Sequence, residues 1–383
     1  MSTHSWAAAR AGAHAAARPS EPVEVPRLHA LGTTLAEALV APTPRPAFDT
    51  AAMDGYAVAG DPPWRIVGEV SAGVPEVAPL RPGTGVEIAT GAVTPKGAVA
   101  VLPYEHAERS GDMVTGEVTA GRHIRRTGEE AAAGAVLAPA GTPVTPMLLG
   151  MAAGLGIDVL TVRRPARVNA LIIGDEVDLA GQPGPGRIRD AIGPMLPGVV
   201  AALGGELVAT TAIGDKLEEL TEALSGAEGD VLLTCGASSV GRADTVREAL
   251  RLLGARLVVD GVACRPGHPQ ALAQLVDGRW LVALPGNPYA AVVAALTLLD
   301  PLLRGLAGAP LPCLPTAELV GPVRMRAEST KLIPVRWDGP VVRPVGKDRP
   351  ASLQGVALAD AVAVVPGGWT AGPVQLLALP GRP

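Results

Sequence analysis

Apolar residues recur with different periods in different stretches of the chain, and each change of period marks a change of architecture. Residues 5–45 predict an Ala-rich helix followed by an extended lead-in. His29–Leu39 (HALGTTLAEAL) continues apolar residues at helical spacing. The APTPRPAF segment then ends any helix, because a residue before proline is pushed out of the α region. From 49 to 122, short β-type runs (WRIVGEV, GVEIA, AVAVLPYEH) alternate with Gly/Pro turns and predict a compact β domain. Residues 128–157 return to a helical pattern that opens after Thr145-Pro146, an N-cap followed by proline at the first helical position.

Between 167 and 308 the pattern is clearest. ARVNALII, ELVATTAI, DVLLT and WLVAL read as strands that are apolar throughout. RDAIGPMLPGVVAALGG, DKLEELTEAL (capped by Asp215), ADTVREALRLLG and YAAVVAALTLLDPLLRGL read as helices between and after them. Such alternation predicts a parallel sheet covered on both faces. Residues 309–383 are again β-like, with LIPVRW, PVVRPV, AVAVVP and VQLLAL. The expected fold is multidomain α/β and β. A helical/extended frame (1–48 and 123–166) carries an inserted small β domain (49–122). A doubly wound α/β domain (167–308) and a C-terminal β domain (309–383) follow.

Composition adds bounds. At 383 residues the chain exceeds one ordinary core. Its 47 glycines and 38 prolines imply many short elements, while 48% hydrophobic residues leave enough to fill cores. A net charge of −5 gives no bulk case for nucleic-acid binding. Cys235, Cys264 and Cys313 lack CxxC spacing, which suits a reducing cytosol and argues against zinc. The first twenty residues resemble a transit peptide weakly, having two arginines and no acid, but read better as an Ala-rich helix. The most hydrophobic window, 280–303, is interrupted by Pro285, Gly286, Asn287, Pro288 and Asp300, so no membrane span is expected. A soluble, cytoplasmic protein is the expectation.

Ligands of open parallel sheets bind beyond the carboxyl ends of the strands. Three strand ends carry suggestive turns: GDEV (Gly174–Val177), CGASSVGRAD (Cys235–Asp244) and PGNP (Pro285–Pro288). The glycines and serines of GASSVG leave backbone N–H groups available to an anion, with a helix dipole behind them. Asp175, Glu176 and Asp244 belong to the same rim. Carboxylates among anion-binding turns call for a divalent cation between them or for a catalytic base; the plainer alternative is a helix cap at Asp244 and a solvated Glu176. The chain has no GxxxxGK[ST], no complete GxGxxG, no HExxH and no GxSxG. The residues alone point to an enzyme handling a phosphorylated ligand with Mg2+.

FDTAAMDGYAV, IATGAVTPKGAVAVLPYEH, RRTGEEAAAGAVLAPAG, LIIGDEV, DVLLTCGASSVGRAD, VACRPGHP and LPGNP occur in that order. As a set they resemble the molybdopterin molybdenumtransferases, the MoeA type that also forms the C-terminal domain of gephyrin, over about residues 25–380. The resemblance implies a homodimer that takes adenylylated molybdopterin and molybdate, inserts molybdenum into the dithiolene and releases AMP. Its site is shared between the α/β domain of one subunit and the small β domain of the other. Phe48, Met53 and Tyr56 would pack a lip that presents Asp54; the alternative is a plain hairpin with Asp54-Gly55 as its turn.

Carried over position by position, the catalytic set is Asp54, Thr90, Glu130, Glu176, Asp215 and Asp244, with Glu176 and Asp244 holding Mg2+. Gly236, Ser238, Ser239, Gly241, Gly286 and Asn287 would line the pterin phosphate site, and Arg265, His268, Arg336 and Ser352 the oxyanion side. Thr50-Ala51, Glu130, Ile172-Ile173 and Gly236-Ala237 depart from the family pattern. So do Arg265 and His268, which replace the two lysines of a Lys-Pro-Gly-Lys-Pro motif. Arg265 keeps the charge. Since an imidazole is cationic only at lower pH, insertion is expected to weaken as pH rises. Two functions of different class follow: an insertase with a modified anion pocket, or a catalytically altered member that binds a pterin or nucleotide or serves as a dimeric scaffold.

Overall fold

A computed structural model describes residues 4–75, 77–236, 243–324, 329–346 and 349–381, with the side chains of Ala243 and Asp244 outside the description. Ser238, Ser239 and Gly241 of the expected phosphate loop therefore lie outside the described residues. The chain divides into two compact units. One comprises Glu37–Pro139 and Pro146–Asp158; the other comprises Met1–Ala36, Ala140–Thr145 and Val159–Pro383.

The smaller unit is built on a six-stranded sheet. Its order is Ala100–Pro103, Gly55–Ala59, Thr84–Ile88, Trp64–Val70, Met113–Thr115, Glu108–Ser110. Gly55–Ala59 is buried along its whole length because both faces are covered: Ala57 and Ala59 join one apolar cluster, Tyr56 and Val58 the other. Asp54-Gly55 is not a hairpin turn. Thr50–Ala51 pairs with Ile124–Arg125, whereas Gly55–Ala59 pairs with Thr84–Ile88 and Ala100–Pro103, so the two segments flanking Asp54 belong to different sheets. A side chain at Gly55 would place its Cβ 2.1 Å from the Leu102 carbonyl oxygen, which explains the glycine. Phe48 and Met53 do not pack the lip as expected. They are 48% and 39% exposed, and only Tyr56 is buried.

Of two helical expectations before residue 160, one fails and one holds. His29–Leu39 holds a 3-10 turn at Arg27–His29 and short strands at Thr34–Leu35 and Leu39–Val40. In residues 128–157 the helix opens at Pro146, as expected, and runs to Gly154, while the residues before it form the strand Val136–Ala138. Alanine and leucine at helical spacing gave the signal in His29–Leu39, but that stretch is anchored by pairing with distant strands, as in Val162↔Leu35 and Ala138↔Leu39.

The larger unit has an α/β core. Its sheet order is Gly205–Ile213, Ala166–Ile173, Val231–Cys235, Trp280–Leu284, Ala271–Gln274, Arg256–Asp260. The first four strands are parallel, as expected. Ala271–Gln274 runs antiparallel to both its neighbours, so the sheet is mixed. Both faces are covered. Val168, Ala170 and Ile172 face a cluster with helix Trp6–Ala16, Leu196–Ala202 and the long helical run from Pro288. Leu171 and Ile173 face helices Leu217–Gly226 and Ala243–Leu252. Arg189-Asp190, expected in a helix, follow a different course: Ile188–Arg189 is a strand paired with Val177–Asp178, and the helix starts at Leu196. Asp215 is not a cap either. The N-cap of Leu217–Gly226 is Lys216, whose side chain caps nothing.

Pro288–Leu306 is a 19-residue helix long and apolar enough to cross a membrane by length and composition, and 89% of its most apolar window is buried inside the protein. Asp300, 6% exposed within it, accepts from Arg10 Nη2 (3.0 Å) and Arg304 Nε (2.7 Å), which marks a core helix that pairs its buried charge internally.

The C-terminal strands make a closed sheet. Thr330–Asp338 pairs with both Val341–Pro344 and Ala361–Val365, completing a ring through Thr316–Leu319 and Pro373–Ala378. The barrel is joined to the α/β core in several ways. Cys264–Arg265 adds a strand to Thr330–Asp338, Tyr289 Oη donates to the Leu332 carbonyl (2.9 Å), and the Pro350 carbonyl accepts from the N–H groups of Tyr289 (2.9 Å) and Ala290 (3.2 Å).

Candidate active site

In the larger unit, a cleft of about 480 Å³ opens at the carboxyl ends of three parallel strands. Its lining includes Ile172 and Ile173 from the first strand, Cys235 and Gly236 from the second, and Gly286, Asn287 and Pro288 after the third. Glu176 of the GDEV turn, Ala351 beside Ser352, and the segment Ile188–Ile192 complete the wall. The expected residues Glu176, Gly236, Gly286 and Asn287 are therefore brought together. Gly236 has φ +120°, and a Cβ there would lie 2.3 Å from the Ile173 carbonyl oxygen, so only glycine lets the two strand ends close up. Cys235 is buried beside it; burial, and then Asp190, push its thiol up, so it is no nucleophile.

The other expected residues of this unit sit outside that lining. Asp215 Oδ2 accepts from the Asp175 N–H (3.3 Å), bracing the GDEV turn. Arg265 is exposed on the strand that joins the barrel. The Nδ1 of His268 lies 2.7 Å from the Val262 carbonyl, so Nδ1 carries a hydrogen and donates. Arg336 donates to the Leu358 carbonyl (2.7 Å), the last of helix Gln354–Leu358. The Ser352 N–H donates to the Arg349 carbonyl (2.9 Å).

In the smaller unit, Asp54 and Thr90 are paired as expected. Oδ1 of Asp54 accepts from the Thr90 N–H (2.6 Å) and from its hydroxyl (2.9 Å). These bonds, the backbone one first, hold the exposed Asp54 carboxyl below the ordinary range. Oδ2 takes part in neither. Behind Asp54 stand three residues missed by sequence reasoning. Tyr104 packs edge-on against Tyr56 at 5.1 Å between ring centres, and Arg109 donates to Glu87 and lies over the Tyr56 ring. Burial, then Glu87, Tyr56 and Asp54, push the Tyr104 phenol up. Glu130 is placed apart from this group, paired with Arg45 Nε at 3.3 Å across a recess of about 300 Å³.

Among the described residues no three His, Cys, Asp or Glu side chains converge as a metal ion requires. Glu176 faces the cleft, while Asp244, the expected second ligand, has its side chain outside the description. The described residues do not by themselves make a Mg2+ site.

Sequence reasoning also missed Arg189 and Asp190, which line the cleft. Their two-residue strand is too short to show a period. The available signal was the Gly/Pro run 181–186 just before them, which makes a strap rather than a helix start.

Two family models match the chain: "MoeA N-terminal region (domain I and II)" over residues 4–156, and "Probable molybdopterin binding domain" over residues 169–305. The chain is 35% identical over 331 residues to Molybdopterin molybdenumtransferase 2 of Mycobacterium tuberculosis H37Rv, covering 80% of this chain and 82% of that one. It is 35% identical over 318 residues to the Molybdopterin molybdenumtransferase of Synechococcus elongatus, covering 77% and 79%. A crystal structure of the molybdopterin biosynthesis MoeA protein from Pyrococcus horikoshii superposes with a TM-score of 0.78 at 25% identity over 99% of both chains. A crystal structure of a molybdopterin biosynthesis MoeA protein from Pyrococcus horikoshii OT3 gives 0.82 at 22% identity, covering 98% of this chain and 100% of that one. With its mixed α/β core, closed C-terminal sheet and this identity sustained over most of its length, the chain belongs to the molybdopterin molybdenumtransferase family of the MoeA type.

Proposed function

We propose that the chain inserts molybdenum from molybdate into adenylylated molybdopterin and releases AMP. What supports this is the strand-end cleft, where Glu176, Gly236, Gly286 and Asn287 meet in a chain whose relatives are named for molybdenum transfer. The close approach at Gly236 holds the ends of the two central strands together at the floor of that cleft. Asp54, ionised through Thr90, keeps Oδ2 for a second partner and orients it before substrate arrives.

The proposal extends to a homodimer in which the Asp54 lip of one subunit serves the cleft of its partner, working in the cytoplasm without nucleic acid or membrane. Arg265, His268, Arg336 and Ser352 are assigned to the molybdate side, and Ser238, Ser239 and Gly241 to the phosphate. Mg2+, taken up through Glu176 and Asp244, would offset phosphate charge when bound. Purified protein incubated with adenylylated molybdopterin, with and without molybdate and Mg2+, is expected to release AMP only when molybdate is present. Tight binding of the pterin with no AMP release would overturn the activity.

A further inference from the structure

We infer that Arg189 is the residue that grips the phosphate of the nucleotide in the strand-end cleft, a specificity role that the family's lysine motif does not account for in this chain. The assignment rests on the activity proposed above and goes one residue deeper. The cleft must hold an anion, yet the ionised side chains lining it are Glu176 and Asp190 on the acidic side and, among the described residues, Arg189 alone on the basic side. Arg265 and His268 are not in its lining. Without Arg189, two carboxylates would face an incoming phosphate with no described cation to offset them.

Its position is built by backbone and not left to chance. The Ile188 N–H donates to the Glu176 carbonyl (2.8 Å) and the Asp190 N–H to the Asp178 carbonyl (2.9 Å), so Arg189 is pinned between two ladder bonds. Asp190 Oδ1 then accepts from the N–H groups of Ile192 (2.8 Å) and Gly193 (3.0 Å), fixing the turn out of the strand. Arg187, the other arginine of the strap, is spent. Its Nε donates to Asp178 Oδ1 (2.6 Å) and its terminal nitrogens to the carbonyls of Asp175 and Val177. Arg189 is exposed and, among the described residues, donates from Nη1 to the Asp178 carbonyl at 2.9 Å, with the Asp178 carboxylate also acting on it through its charge. A phosphate oxygen is a stronger acceptor than that neutral carbonyl, and a guanidinium presents a planar fork that matches two phosphate oxygens.

The test is calorimetric titration of the full chain with AMP at low and raised ionic strength, for wild type, Arg189→Ala, Arg189→Lys and the surface control Arg251→Ala. Arg189→Ala is expected to weaken AMP binding by about tenfold to a hundredfold and to flatten its salt dependence. Arg189→Lys is expected to recover part of the affinity, since charge returns without the fork, and Arg251→Ala to match wild type. A strap that merely collapsed would give no recovery with lysine. Wild-type AMP affinity in Arg189→Ala, in a protein that still turns over, would overturn the assignment and leave the activity standing. A wild type that neither binds AMP nor releases it in the molybdate assay would overturn the activity and this assignment together.

Discussion

Gly236→Ala is the substitution whose effect can be worked most directly from the geometry. The added Cβ would meet the Ile173 carbonyl oxygen at 2.3 Å and the carbonyl carbon at 3.2 Å, and the residue would keep φ +120°, where side chains are strained. Left unrelieved, backbone strain and overpacking together cost about 2–6 kcal/mol. Relief requires the ends of Ala166–Ile173 and Val231–Cys235 to separate by about 1 Å, since ordinary contact begins near 3.4 Å. Such a shift carries the GDEV turn and Glu176 with it, and misplacement by about 1 Å can cost about 10²-fold in rate. The measurements are molybdate-dependent AMP release and the denaturant midpoint, with Gly198→Ala alongside. Gly198 is exposed within helix Leu196–Ala202, and a Cβ there meets nothing within 4 Å, so alanine is expected to stabilise by about 0.5–1 kcal/mol and to leave AMP release unchanged. A Gly236→Ala protein with wild-type midpoint and wild-type AMP release would refute the claim that the close approach of the two strand ends sets the cleft.

Asp300→Asn removes the charge that pairs with buried Arg10 and is expected to destabilise by about 3–5 kcal/mol in denaturant unfolding, with Arg10→Met/Asp300→Leu recovering much of the loss. Alkylation of the folded protein at pH 8 is expected to label Cys313 alone and, after denaturation, all three cysteines. Cys313 is exposed, whereas burial pushes Cys264 up to about 12 and Cys235 up further, and two or more labels on folded protein would contradict this. Thr90→Val is expected to raise the Asp54 pKa toward the ordinary carboxylate value, read by NMR titration, because the hydroxyl contributes after the backbone N–H; an unmoved titration would deny the hydroxyl its role. Asp49 is held below the ordinary range, chiefly by the Thr127 N–H. Its folded pKa is depressed, so its stabilisation is complete above the unfolded value near 3.9 and is lost as pH falls through the folded value. Asp49→Asn should flatten the acid limb of the unfolding midpoint, and an unchanged limb would count against the pairing.

The α/β core was legible because strands such as Trp280–Leu284 are apolar at every position and need no neighbour to be recognised. Strand ends then located Glu176, Gly236, Gly286 and Asn287 without side-chain information. What escaped was set by distant pairing. Arg256–Asp260 carries exposed arginine and leucine at its edge of the sheet, and among the described residues it pairs only with the antiparallel Ala271–Gln274, itself four residues long. Phe48 and Met53 looked like core residues by type, but nothing in their spacing told which side of the lip they would take. Arg189 was hidden for a similar reason, since its neighbour across the strap lies beyond a Gly/Pro run with no period of its own.

The Pro350 carbonyl carries a consequence for how this protein can be dissected. It satisfies two amides that begin the longest buried helix of the α/β core, while Tyr289 and the Cys264–Arg265 strand reach across in the opposite direction. Excising the segment before residue 309 would strand those amides and unroof Leu296 and Leu302, which share one apolar cluster with Leu332, Val362 and Leu377. The α/β portion is thus no detachable module: barrel and sheet are expected to melt together, and the cleft exists only while both are in place.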